Sequence, residues 1–313
     1  VGKTTLSVKL AEEVQEEFEF VIWRSLRNAP MIDTLLAQII SFVSNQQEVS
    51  LPNTLDNQLS RLMEYLCQHR CLLVLDNVET ILQSGVKAGR YQKRYEAYSQ
   101  LINRVADERH QSCLLLTSRE KPIGLSARED NVSSVRSLQL TGLHKQEVQT
   151  ILNIKGLAQS ESECKQLTEY YAGNPLALRI AATTIHSLFD GDVAKFLEQG
   201  TVVFGDIWEL LDQQFNRLSA LEQQVMYWLA INREWTTIAQ LRKDIIPGVS
   251  HRELMEALES LLGRSLVEQQ SASFTQQPVV MEYMTEQRQR FSNIIDKRIP
   301  KHHHHVEINK QQE

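Results

Sequence analysis

Val1-Gly2-Lys3-Thr4-Thr5-Leu6 and, further along, Cys71-Leu72-Leu73-Val74-Leu75-Asp76 are the two stretches that decide the reading. The first is the back half of the phosphate-binding pattern G-x-x-x-x-G-K-[ST], whose backbone N–H groups wrap phosphates at a helix N-terminus. Gly2, Lys3, Thr4 and Thr5 are therefore candidates for holding a nucleotide, with Lys3 neutralising the β- and γ-phosphates. The second is a continuous apolar run ended by a carboxylate. Such a run suits a strand buried on both faces of a parallel sheet, and a carboxylate at its end is placed to hold Mg²⁺. Thr4 and Asp76 are thus the candidate metal ligands. A bare G-K-T occurs by chance in many proteins, and an Asp capping a strand is common; it is the two together that point to phosphate chemistry.

Working outward, strands and helices alternate. Gly2 to Glu17 has Leu6, Leu10 and Val14 at helical spacing, and Phe18 to Trp23 is a short apolar strand. Pro30 suits a helix N-terminus, followed by Leu35, Leu36, Ile39, Ile40 and Val43. A further helix is expected over Leu55 to Gln68. Cys113-Leu114-Leu115-Leu116 repeats the buried-strand pattern and ends in Thr117-Ser118-Arg119, with Tyr95, Leu101, Ile102 and Val105 forming a helix before it. Val135 to Leu140 is a candidate further strand. This alternation is the signature of a doubly wound α/β layer. Ligands of such sheets bind at the carboxyl ends of the strands, so Arg119 is a candidate reader of the γ-phosphate. The alternative is a surface arginine paired with Glu120 or another carboxylate. Lys3, Asp76 and Arg119 are the candidate catalytic residues.

Beyond Leu143 the pattern becomes helical. Helices are expected from Leu143 to Ile154, around Cys164, Leu167 and Tyr171, and from the Asn174-Pro175 pair onward, which supplies an N-cap and an N1 proline. Capping boxes are expected at Ser219…Glu222, Thr237…Gln240 and Ser250…Glu253. Short helices there, followed by a hairpin over Leu266–Glu268 and Ser273–Thr275, fit a winged-helix unit. The expected division is a nucleotide-binding α/β domain over 1–141, a helical domain over 142–204, a winged-helix domain over 205–285 and a disordered tail over 286–313.

At 313 residues the chain is longer than one core usually organises, and 42% apolar residues suffice for two or three. Low aromatic content (7%), 12 Gly and 7 Pro argue against an all-β or low-complexity protein. A net charge of −6 disfavours a nucleic-acid coat or an anionic membrane surface as main partner. Cys67, Cys71, Cys113 and Cys164 match no zinc or redox spacing and are read as buried free thiols in a reducing cytosol. No apolar stretch approaches the ~20 residues of a membrane span. The chain begins inside a motif, so the front of the loop and the strand before it are expected upstream of Val1. Without that strand the one ending at Asp76 is expected to lack a neighbour, and the 313 residues alone to bind ATP weakly or not at all. Lys301-His302-His303-His304-His305 is read as adventitious or tag-like sequence.

The order Gly2-Lys3-Thr4-Thr5, Val21-Ile22-Trp23-Arg24, Leu72-Leu73-Val74-Leu75-Asp76-Asn77, Leu116-Thr117-Ser118-Arg119 and Gly173-Asn174-Pro175-Leu176-Ala177-Leu178 resembles the NB-ARC family of signalling P-loop ATPases. That family includes plant disease-resistance proteins, the apoptosome scaffold and many cyanobacterial proteins with C-terminal repeats. The resemblance implies an α/β P-loop NTPase sheet followed by helical and winged-helix domains, ATP or ADP with Mg²⁺ as ligands, self-association in the active state, sensor repeats elsewhere in a full-length relative, and a cytoplasmic setting. It further implies that Pro175 packs against adenine, that Arg119 tells ATP from ADP, and that the winged helix closes over bound ADP. Two departures stand out. Asn77 replaces a second acidic residue, so hydrolysis is expected to be slow or to use Glu79. Met281-Glu282-Tyr283 stands where the family has Met-His-Asp, and Glu282 would repel phosphate unless it points away.

Two other features have alternative readings. Lys87, Arg90, Lys93 and Arg94 interleave with Tyr91, Tyr95 and Tyr98, which suits either nucleic-acid contact or a polar insertion leading into an amphipathic helix; the latter is preferred. The segment Ser250 to Gly263 carries Glu253, Glu256 and Glu259, the wrong balance for a major-groove reader. A DNA-binding regulator and an inactive fragment are the alternatives to a nucleotide switch, and nucleic acid and membrane are not expected partners.

Overall fold

The computed structural model describes residues 2–47, 52–86, 88–129, 134–157, 159–200, 203–245 and 248–287. Val1, Lys87 and the run Lys301–His305 lie outside them. The first half is built from α1 (Lys3–Val14), β1 (Phe20–Ser25), α2 (Ile32–Val43), α3 (Leu55–Gln68), β2 (Cys71–Asp76), α4 (Ala97–Asp107) and β3 (Cys113–Leu116). The three strands are parallel in the order β1-β2-β3, with Phe20 opposite Cys71 and Leu72 opposite Cys113. Every residue of β2 is buried, as a strand enclosed on both faces requires. The Asp76 strand therefore has neighbours on both sides, contrary to expectation; among the described strands β1 and β3 are the two edges.

Two further departures concern side-chain exposure. Cys113 and Cys67 are exposed, and only Cys71 and Cys164 are buried thiols. Helix α1 packs its small Ser7 and Ala11 stripe against Leu72 and Val74 of β2, which leaves Leu6 and Leu10 at 46% and 42% exposure rather than inward. On the opposite face of the sheet α2, α3 and α4 supply Leu36, Ile39, Ile40, Leu62, Leu66, Leu101 and Ile102 to one core. Tyr91, Tyr95 and Tyr98 belong to that same core, with the Tyr95 and Tyr98 hydroxyls donating to the carbonyls of Ala29 and Pro30 at 2.8 Å each. They are anchors of the insertion, not a stacking platform for bases. Val135–Leu140 forms no strand; Val135 makes a single bridge to Glu129 and the chain then runs irregularly into the helices.

The second half comprises α5 (Lys145–Ile154), α6 (Glu161–Tyr170), α7 (Pro175–Leu188), α8 (Val193–Glu198), α9 (Gly205–Phe215), α10 (Ala220–Asn232), β4 (Thr236–Thr237), α11 (Ile238–Asp244), α12 (His251–Gly263), β5 (Val267–Gln270) and β6 (Ser273–Gln276). The short strands form an antiparallel sheet in the order β4-β6-β5, and backbone over 278–287 is helical. Ser219/Glu222 and Ser250/Glu253 form complete capping boxes, as does Ser160/Glu163, whereas Thr237 caps α11 through its hydroxyl alone. One apolar cluster runs from Val148 to Met284, so α5–α9 and the segment from α10 onward share packed side chains.

Gly173 sets where α7 starts. It has φ +63°, and a Cβ built there would lie 2.2 Å from the Leu143 carbonyl oxygen. Its own carbonyl accepts from the Leu143 N–H at 2.8 Å, and Asn174 then caps α7 through the Leu176 and Ala177 N–H groups. Gly173→Ala is expected to cost about 2 kcal/mol or more, from positive φ and backbone collision together; the shift in urea midpoint measures it.

Candidate functional site

The carboxyl edge of the parallel sheet gathers the sequence candidates. Gly2 caps α1 with φ +88°, a conformation that other residues adopt only with strain. There is room for a side chain, since a Cβ would sit 3.7 Å from Pro175 Cγ, so the glycine is there for its backbone. The same distance places Pro175, at the first turn of α7, against the loop. Lys3, Thr4 and Thr5 follow in the first turn of α1, pointing that helix N-terminus at the sheet edge.

Asp76 is the hub. It is 3% exposed at the end of β2, and its Oδ1 accepts from the Thr4 hydroxyl at 2.8 Å and from the Thr117 hydroxyl at 2.5 Å. Thr117 also accepts from the Asn77 N–H at 3.1 Å. This web follows from register. β2 and β3 are paired with Leu75 opposite Leu116, so the residues after them, Asp76 and Thr117, are neighbours. Thr4 spends its one proton on Asp76 and remains exposed, with its oxygen lone pairs open to a ligand.

Asn77 adopts φ 64° and ψ 44°, the left-handed region that asparagine tolerates better than most residues, and this turn carries the chain into a short 3₁₀ turn over Val78–Ile81. Glu79, in that turn, is buried and faces Arg119: one carboxylate oxygen accepts from the Arg119 N–H at 3.3 Å and the other lies 3.4 Å from Nε. Arg119 is thus both at the sheet edge and ion-paired, with Glu79 rather than Glu120. Burial pulls the Lys3 ammonium below its usual value; Glu79 and Asp76 oppose that shift and Arg119 reinforces it. Lys3, Arg119, Asp76 and Glu79 therefore share one electrostatic neighbourhood of balanced charge.

Lys3, Thr4, Asp76 and Arg119 are brought together, and Pro175 abuts the same loop through Gly2. Thr5 is exposed on the same turn. The partnership of Thr117 with Asp76 is a feature that residue-by-residue reading missed; the signal was present in the two aligned apolar runs, each followed by an oxygen-bearing side chain. Glu282 accepts from the Val203 N–H at 3.3 Å and raises the Tyr171 phenol beyond what burial does, so it is engaged at the entry to α9. Tyr283 donates to Asp212 at 3.0 Å and packs on Trp208.

The residues fit a magnesium–nucleotide pair. Mg²⁺ takes oxygen ligands and is commonly held by one or two protein groups plus phosphates and water. Thr4 and Asp76 supply that kind of donor, and among the described residues no cluster of three or more His, Cys, Asp or Glu offers an alternative metal site. No described helix is long and apolar enough to cross a membrane.

Comparison with known proteins agrees with this geometry. The family model for the NB-ARC domain matches residues 1–162. An uncharacterised WD repeat-containing protein of Nostoc sp. is 51% identical over 297 residues; these are 91% of this chain but 24% of the relative, so the chain spans about a quarter of that protein's length. The Walker-type ATPase of Pyrococcus abyssi has a TM-score of 0.52 at 15% identity, over 91% of this chain and 88% of its own. The ORC2 protein of Aeropyrum pernix, solved as ADPNP–ADP complexes, has a TM-score of 0.51 at 16% identity, over 94% and 86%. At such identities the likeness is one of fold, and the fold is the α/β P-loop NTPase type.

Thr117→Val is expected to leave the Asn77 N–H without its acceptor and Asp76 with one donor fewer, costing about 1–3 kcal/mol, while Thr117→Ser retains most of that stability. Chemical denaturation of both variants checks this.

Proposed function

We propose, from the fact that this chain belongs to the NB-ARC family, that it is the nucleotide-operated part of a signal-transducing ATPase, switched between two domain arrangements by ADP and Mg-ATP. The observation that carries the reading is the meeting of Lys3, Thr4, Asp76 and the Glu79–Arg119 pair at the N-terminus of α1. Family membership alone would leave open whether this chain keeps a working site.

The charges suggest how the switch operates. Without nucleotide the two cations and two carboxylates around Lys3 balance. A di- or triphosphate adds negative charge beside Asp76 and Glu79, which the helix N-terminus and Lys3 offset only in part. Thr4 and Asp76 would hold Mg²⁺, which would supply the remaining charge compensation. A γ-phosphate competes with Glu79 for the Arg119 guanidinium, and a bidentate phosphate contact is stronger than a partly exposed ion pair. Arg119 then leaves Glu79, whose carboxylate becomes free to orient water. Asn77, held in its left-handed turn, carries an amide that cannot take a proton, so hydrolysis is slow. ADP offers no γ-oxygen and leaves the Glu79–Arg119 pair intact, so the two nucleotides favour different arrangements, which is all that a switch requires.

In this reading α10, β4, α11, α12 and the β5–β6 hairpin are a winged-helix unit that docks on the nucleotide domain rather than on DNA. Pro175 packs on the adenine, linking α7 to the ligand. Residues 1–141, 142–204 and 205–285 act as the three bodies of the switch. Sensor repeats, of which the WD repeats named in the Nostoc relative are the model, and the surfaces for self-association complete the full-length protein.

Calorimetry with ADP and with a non-hydrolysable ATP analogue tests this, on a chain carrying the whole G-x-x-x-x-G-K-T pattern. Lys3→Ala is expected to weaken both ligands by about 10–100-fold, the worth of a charge-assisted contact. Arg119→Ala is expected to weaken the ATP analogue by about tenfold or more while changing ADP by less than about twofold. Equal loss for both ligands in Arg119→Ala would remove the sensor role, and undiminished binding in Lys3→Ala would remove the site.

The depressed Lys3 ammonium adds a pH signature. The free-state value lies below that of ordinary lysine, and an adjacent phosphate, as an opposite charge, would raise it. Affinity is therefore full at pH below the free-state value and declines as pH rises through it, with proton uptake on binding. Titrations in buffers of different ionisation enthalpy measure that proton.

A further inference from the structure

Glu120, the residue after Arg119, has a side chain with no exposed surface, yet its charged partners come from the far half of the chain. Its Oε1 accepts from Arg217 Nε at 2.9 Å and Arg264 Nη1 at 3.0 Å, and lies 2.8 Å from Arg217 Nη2. Its Oε2 accepts from the Gly89 N–H at 3.3 Å. Arg217 lies in the turn between α9 and α10, and Arg264 caps α12. Arg264 is 6% exposed and faces Glu222 at 3.9 Å, and Glu222 accepts from the Ser260 hydroxyl. Arg217 Nη2 also donates to the Glu79 carbonyl at 3.0 Å, and its own carbonyl accepts from the Gly85 N–H at 2.9 Å.

We propose that the Glu120–Arg217–Arg264 cluster is a releasable latch that holds the α10–β6 unit on the nucleotide domain and gives way when Arg119 changes partner. The latch rests on the geometry above; its trigger rests on the proposed reading of the site. The buried apolar clusters of the two halves are separate, and the ion pairs of Glu120 with Arg217 and Arg264 bridge between them. A permanent junction is better served by apolar packing, because buried ion pairs contribute little net stability against a hydrophobic replacement. Arg264 Nη2 is buried with no hydrogen-bond partner, a sign that the cluster is not optimised for stability alone. Charges that separate regain water, so such a junction opens at far lower cost than an apolar one. The latch also grips both flanks of the Glu79–Arg119 pair: Arg217 holds the Glu79 carbonyl, and Glu120 follows Arg119 directly. Motion of Arg119 toward a phosphate moves the peptide that carries Glu120.

The Gly85 amide, which donates across the junction to Arg217, reports docking directly. Its hydrogen exchange is followed by NMR in the whole chain without nucleotide, for wild type, Arg217→Gln, Glu120→Gln and the double variant. Arg217→Gln keeps Glu120 paired with Arg264, so folding is retained even where Glu120→Gln fails to fold, and it decides the matter alone. The expected result is exchange faster by about tenfold or more in Arg217→Gln, with the double variant within about twofold of the faster single, since both changes break one contact. Unchanged Gly85 exchange in Arg217→Gln, or effects that multiply in the double variant, would overturn the latch. In a second arm, on the chain carrying the whole G-x-x-x-x-G-K-T pattern, a saturating Mg²⁺-ATP analogue is expected to speed Gly85 exchange relative to saturating Mg²⁺-ADP; equal exchange would overturn the coupling. A chain that binds neither nucleotide defeats the switch of the preceding section, and the nucleotide-free arm still decides the latch.

Discussion

One oxygen of Asp76 receives two hydroxyl protons, from Thr4 on the first turn of α1 and from Thr117 beyond β3. This buried carboxylate joins the first turn of α1 to the ends of two strands that are already paired in the sheet. Hydrogen bonds to a charged acceptor in a poorly solvated place are strong and geometrically demanding, so the N-terminus of α1 is held against the sheet at one orientation. Lys3 and Gly2 are placed by the same constraint, and through Gly2 so is the contact with Pro175 at the start of α7.

Around that point the protein mixes two kinds of cohesion. Within each half it is apolar: the fully buried β2 under α1 and the α2–α4 layer, and the continuous cluster from Val148 to Met284. Between the halves the described ion pairs centre on Glu120, Arg217 and Arg264, beside the approach of Pro175 to the Gly2 loop. Rigid bodies joined by polar contacts are the physical requirement for two arrangements of similar free energy, because a ligand of modest differential affinity can then move the balance.

Much of this was legible in the amino-acid order. The apolar runs ending at Asp76 and Leu116 are strands because nothing in them is polar, and Asn174-Pro175 starts a helix because one residue caps and the other is preset for N1. Motif order located Lys3, Thr4, Asp76 and Arg119 at one edge. What was not legible depends on the third dimension. Leu6 and Leu10 share a helix face, but only the sheet's extent decides whether it is covered. Val135–Leu140 has strand-like residues, but a strand needs a partner in register, and Val135 finds a single bridge. Glu120 and Arg217 are ordinary charged residues in sequence; their burial against each other is a product of docking. Tyr91, Tyr95 and Tyr98 among basic residues invite a nucleic-acid reading until their rings are found in the core.

The central claim is that Asp76 anchors a magnesium–nucleotide site, and the Mg²⁺ dependence of ADP affinity in wild type and in Asp76→Asn addresses it most directly. The account predicts that Mg²⁺ tightens ADP binding in the wild-type protein and that this gain is lost in Asp76→Asn, with metal-free affinity preserved or improved as one negative charge is removed. An identical Mg²⁺ dependence in both proteins would contradict it.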